Sequence, residues 1–166
     1  EDGRALADVA EVLGVVLDTV RRVEHSEKAI GEEEVIARIG RALLELPTRG
    51  ALLQSVVEAL RDFRDYFDVS LFRVDADTND CVLVAEAGRG RRYRPDEYRQ
   101  SVGTGFIGIC AQTGQTIRAD DLQQDKRRLV AFDEEHRARS ELAVPISGTE
   151  RVYGVLHLLS DRDHDF

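Results

Sequence analysis

Lysine is nearly absent. Of 23 basic residues only Lys28 and Lys126 are lysine, and the other 21 are arginine. A GC-rich genome produces that bias, and so does adaptation to high salt. Positive charge is also the minority sign, because 32 acidic residues leave a net charge of -9. Nucleic-acid binding needs Lys and Arg clustered against phosphate, so an acidic surface argues against that partner. Anionic membrane is disfavoured for the same reason. No apolar run approaches the roughly 18 residues of a transmembrane helix, and no secretory leader is visible. Only two cysteines occur, Cys81 and Cys110. Neither has metal-ligand spacing, and two thiols make no disulfide framework, so a reducing cytoplasm is the expected compartment. The chain starts at Glu1 rather than Met and is expected to be a segment of a longer protein.

What is present supports one ordinary core. The 166 residues are 42% hydrophobic, enough for a core of roughly 100–150 residues with some chain left over. The surplus lies at the front. Leu6, Val9, Leu13, Val16, Val20, Val23 and Ile30 follow a heptad seam, broken where Glu27 takes a core position. The seam is narrow, which favours a coiled coil over a helix packed on its own domain. Residues 1–31 are thus expected to form a coiled-coil signalling helix that pairs the chain as a parallel homodimer, and 32–166 a separate domain. A second helix is predicted to Leu46. A third, from Gly50 to about Tyr66, has Thr48 as its N-cap and Leu53, Val56, Val57, Leu60 and Phe63 on its buried side.

The period then changes. Residues 69–74 and 81–85 are β-rich and flank the polar turn Asp75–Asp80, so they predict a hairpin. A polar loop over 88–97, a short strand near Tyr98–Val102 and a Gly103-Thr104-Gly105 turn lead into a helix from Phe106 to Thr113, ended by Gly114. Strands are predicted at 116–119, 140–146 and 151–159, with an irregular or helical stretch over 120–137.

The run SVGTGFIGICAQTGQT (101–116), then Asp120-Asp121, SELAVPI (140–146) and YGVLHLLS (153–160), resembles GAF domains in order and spacing. The resemblance covers roughly Glu33 to Phe166. It implies an α+β fold with a central antiparallel sheet, helices on one face, and a ligand pocket on the other beneath the 86–139 loops. It implies a cytoplasmic small-molecule sensor whose occupancy shifts its flanking helices. Those helices would pass the signal to an output domain such as a two-component histidine kinase, with another sensor domain upstream. The pocket positions it suggests are Gly103, Gly105, Phe106, Ile107, Asp121, Phe132, His136 and Arg139. Gly103 and Gly105 would bring backbone N–H groups to the helix start, a modest site for an anion or polar group. Gly154 would let a helix approach the last strand, and Pro145 would suit a strand end or edge.

Chemistry leaves fewer marks. Free-methionine sulfoxide reductases of this family need pocket cysteines, and 119–141 offers none. Cys81 and Cys110 read as core residues. Neither is followed by His, so a covalent bilin is not expected. Asp125-Lys126 and Phe132 echo a cyclic-nucleotide signature, but His136-Arg137 depart from it. His136 reads as a solvated loop residue rather than a metal ligand, and His157 as a satisfied strand residue. Glu141 and Arg139 read as strand-edge ion-pair residues, and Arg89 to Arg94 as a solvated loop rather than an anion lid. No catalytic residue, metal or cofactor is expected. Two rivals stand beside the sensor: a dimerisation scaffold with a collapsed pocket, and a sulfoxide reductase.

Overall fold

The computed structural model describes residues 49–89, 93–129, 137–147 and 151–166. The heptad segment, the second helix, Thr48, Phe132 and His136 lie outside the described residues. Helix α1, Arg49–Arg64, buries Leu52, Val56, Val57 and Leu60 at 3–4 spacing. Arg61 and Arg64 occupy its last turn, where cations suit the negative end of the helix dipole. Asp65 breaks the helix in a left-handed conformation (φ 52°).

The predicted hairpin follows as β1, Asp68–Asp75, and β2, Asp80–Gly88. Asp75 Oδ1 accepts the Asp77 and Thr78 backbone N–H groups (3.1 and 3.4 Å), and Asn79 is left-handed (φ 58°), the roles Asp and Asn fill in tight turns. After β3, Arg99–Ser101, come α2, Gly105–Thr113, and β4, Ile117–Ala119. The described part of 120–137 is irregular. Strands β5, Ser140–Ser147, and β6, Val152–Ser160, close the sheet. Six antiparallel strands lie in the order β3-β2-β1-β6-β5-β4. Helix α2 leaves one edge strand and delivers the other, so it must cross a sheet face.

Both faces are covered. Val69, Leu71, Ala85, Ala87, Leu142, Val144, Leu156 and Leu158 cluster with α1. Phe72, Cys81, Leu83, Ala143, Val155 and Leu159 cluster with Phe106, Ile107, Cys110 and Ala111 of α2. Burial on both sides explains the near-continuous apolar runs of the central strands. The β1–β2 register slips where Leu71 faces Ala85 but Phe72 faces Leu83. Val84 is the extra residue, and the slip turns Leu83 and Cys81 to the same face as Glu86.

Pro145 lies in β5 beyond the last residue pairing with β4, so its missing N–H removes no ladder bond, as expected for an edge. Gly154 departs from expectation. Its close neighbour is the Phe72 carbonyl of β1, 2.4 Å from where a Cβ would stand, so the approach is strand to strand rather than helix to strand.

Gly114 ends α2 in the left-handed region (φ 64°), its N–H on the Cys110 carbonyl. A Cβ there would only touch Val152 at 3.5 Å, so the cost of Gly114→Ala is confined to the backbone, about 1 kcal/mol. Urea unfolding followed by circular dichroism checks this; a loss above about 2 kcal/mol would contradict the open surroundings of the site.

Candidate functional site

The face that α2 covers is not uniformly apolar. Strand register places Ser70 opposite both Glu86 of β2 and His157 of β6. One pleat along, Asp68 stands between Gly88 and Leu159, and Glu141 of β5 stands on the other side of Leu159. Asp68, Ser70, Glu86, Glu141 and His157 are all buried. They line a cavity of about 60 Å³ with Phe72, Leu83, Tyr93, Tyr98, Gln100, Phe106, Ile107, Leu122, Arg128, Leu129, Ala138 and Leu159. The sheet supplies the polar floor, while α2 and the connecting loops supply most of the apolar walls.

The polar groups are partly paired. His157 Nε2 lies 2.8 Å from Glu141 Oε1. Ser70 Oγ donates to Asp68 Oδ2 at 2.6 Å. Asp68 Oδ1 is buried with no hydrogen-bond partner among the described residues and fills the space a Cβ on Gly88 would need. Burial drives the Asp68 carboxyl above its usual range, with Ser70 and His157 pulling it partly back. Burial drives His157 down, but Glu141, aided by Asp68 and Glu86, outweighs this and raises it, so the imidazole favours its protonated form.

Aromatic rings form part of the wall. Tyr93 and Tyr98 have ring centroids 5.0 Å apart, and Phe72 stands edge-on to Tyr98 at 6.1 Å. The Arg127 guanidinium covers the Phe106 ring at 4.8 Å and donates to the Arg118 carbonyl at 2.9 Å, which holds the 120s loop over α2.

The residues suggested by sequence fall in several places. Phe106 and Ile107 line the cavity. A Cβ on Gly105 would strike the Leu129 and Gln100 side chains, so Gly105 sits at the cavity's edge. Gly103 donates its N–H to the Gly108 carbonyl of α2 at 2.8 Å. Asp121 accepts the Gln123 backbone N–H at 2.9 Å and the Gln124 amide at 2.6 Å, organising a loop turn. Arg139 is exposed and lines an open surface recess with Gln123, Arg137, Ala138 and Asp161. Glu141, expected at a strand edge, instead points into the cavity and bonds His157. Asp68, Ser70 and Glu86 fall outside the pocket expected from the sequence. A signal existed for Glu86, Glu141 and His157, since each is a lone ionisable residue inside an otherwise apolar strand run.

Cys81 and Cys110 are free and buried. Burial pushes their thiols up to about 11 and about 12, and neither lines the cavity. Among the described residues, no group of three His, Cys, Asp or Glu side chains is placed to hold a metal ion, and no helix is long and apolar enough to cross a membrane.

A six-stranded antiparallel sheet with helices on both faces and a partly open cavity under one of them defines an α+β domain. The GAF domain family model matches residues 48–166, and the chain belongs to that family. Solved structures agree on the fold. A GAF domain of a phosphoenolpyruvate-protein phosphotransferase from Coxiella burnetii has a TM-score of 0.74 at 22% identity, covering 84% of this chain and 83% of that one. The corresponding Acinetobacter domain has a TM-score of 0.70 at 19% identity, with 84% and 82% covered. Free methionine-R-sulfoxide reductase from Neisseria meningitidis, in complex with its substrate, has a TM-score of 0.69 at 22% identity, with 85% and 81% covered. No curated protein matches the chain.

Proposed function

We propose that this GAF domain is a regulatory sensor that holds a small molecule between its sheet and α2. Binding biases the flanking helices, and residues 1–31 carry that bias, as a paired coiled coil in the cytoplasm, to neighbouring domains of a longer signalling protein such as a histidine kinase. The observation that supports this is the cavity itself. It is a partly open, largely apolar cavity with a few convergent polar groups on rigid strands, the usual composition of a small-molecule site. A purely structural module has no use for buried carboxylates, which cost stability wherever they are incompletely paired.

The relation to sulfoxide reductases favours a second, enzymatic reading. The chemistry weighs against it: a thiol mechanism needs a thiolate beside the substrate, and both thiols of this chain lie elsewhere, protonated. Purified protein given free methionine-R-sulfoxide and dithiothreitol is therefore expected to form no methionine. Native mass spectrometry is expected to show a co-purifying small molecule that is lost in Ala138→Leu, which fills the cavity from its wall. Turnover of the sulfoxide, or a bound molecule that survives Ala138→Leu, would defeat the sensor reading.

A further inference from the structure

We infer that the cavity selects a small organic cation, a protonated amine with an apolar body of about four carbons, with its ammonium group held at Asp68. This deepens the sensor reading and rests on it.

The charge balance of the floor is the first reason. Asp68, Glu86 and Glu141 come from three strands and line one cavity. Buried carboxylates are costly unless a cation or several hydrogen bonds meet them. His157 meets Glu141 at 2.8 Å. Among the described residues, the side-chain hydrogen bond to Asp68 comes from the neutral Ser70 hydroxyl, at 2.6 Å on Oδ2, and His157 acts on it through charge alone. Asp68 is 5% exposed, and its Oδ1 is buried with no hydrogen-bond partner among the described residues. With His157 protonated and Arg128 charged, the three carboxylates Asp68, Glu86 and Glu141 still leave one negative charge around the cavity. An ammonium ion beside Asp68 supplies the missing cation and three donors.

The walls give the second reason. Phe72, Tyr93 and Tyr98 present aromatic rings to the same space, and ring faces attract ammonium groups. Arg128, from the loop that follows β4, brings a second cation to the same cavity, with its Nη1 donating to Gln123 Oε1 at 3.0 Å. A metal ion is the wrong occupant, since no three acidic or histidine side chains among the described residues are placed to share one. Size follows from volume. About 60 Å³ is roughly twice a water's ~30 Å³ share of liquid volume, so the space takes the ammonium group and the first carbons, and the open side of the cavity takes the rest of a four-carbon chain.

The test uses the whole chain, labelled with ¹⁵N, titrated at pH 7.5 and constant ionic strength with n-butylamine, 1-butanol and butyrate. The expected result is an affinity for butylamine at least tenfold above that for either other probe. Asp68→Asn, which keeps the Ser70 contact, is expected to abolish that preference while circular dichroism shows an intact fold. If the alcohol or the acid binds as tightly as the amine, the cavity remains a ligand site and the cation is wrong. If none of the three shifts a resonance of a lining residue, both the cation and the sensor reading fall. An amine preference that persists in Asp68→Asn overturns the assignment to Asp68.

Discussion

Gly154→Ala is expected to lower stability by about 3 kcal/mol, or to leave the chain unfolded. Gly154 sits in β6 between Arg73 of β1 and Ile146 of β5, in the middle of the sheet. An alanine Cβ would stand 2.4 Å from the Phe72 carbonyl oxygen. A flexible side chain could swing away from such a contact, but a backbone carbonyl in a ladder can move only if the strand moves. The sheet would have to open where β1 and β6 carry the polar floor. Overpacking of this kind costs about 1–3 kcal/mol, occasionally more, and a backbone neighbour places it at the upper end. In a domain of this size that corresponds to a fall in melting temperature of roughly 10 °C. Gly50→Ala is the matched control. Its Cβ would meet nothing within 4 Å, and it lies in α1, where alanine is favoured over glycine by up to about 1 kcal/mol. Thermal melts of the two variants side by side decide the matter, and a loss under about 1 kcal/mol for Gly154→Ala would mean that the strands are not held this close.

Stability is expected to fall as pH rises above neutrality, through His157. Its folded pKa is raised, with burial opposing and Glu141, Asp68 and Glu86 prevailing. A raised pKa means that the folded state binds the proton more tightly than the unfolded chain does. The contribution is therefore complete below the ordinary histidine value of about 6.5 and is lost as pH climbs through the higher folded value. Each unit by which the folded pKa exceeds the unfolded one adds about 1.4 kcal/mol to that decline. Asp68 has the same sign in a lower window. Burial raises its pKa, so its ionisation costs stability once pH passes that raised value, and Asp68→Asn is expected to gain about 1 kcal/mol at pH 8. Gains of that size are common when a residue kept for function is removed. The measurement is urea unfolding at intervals from pH 6 to 9. The wild type should weaken across the range, while His157→Gln, which cannot titrate there, should stay flat. A wild-type curve as flat as the variant's would show that His157 is not held protonated.

Much of the scaffold was legible along the chain because it depends on near neighbours. The apolar spacing of Leu52, Val56, Val57 and Leu60 specifies a helix with one buried side. The β-rich runs around Asp75–Asp80 specify a hairpin, and glycines on either side of Phe106–Thr113 bracket a short apolar helix. The succession of those motifs carried the family. Phe106 and Ile107 were placed in the pocket for the same reason, since they open that helix.

The floor of the cavity was not legible, because no local pattern says which strands become neighbours. Asp68, Glu86, Glu141 and His157 lie on four strands spread over about ninety positions. Only the order β2-β1-β6-β5 brings them to one face, and only the slip at Val84 keeps Leu83 in phase with Glu86. Their charge states are likewise properties of the assembled sheet, since burial and Glu141 act on His157 only after β5 and β6 have paired. The sequence by itself determined the elements and the family through short-range periodicity and turn chemistry. The tertiary structure alone decided which ionisable groups share a low-dielectric space, because that follows from strand pairing between residues far apart in the chain.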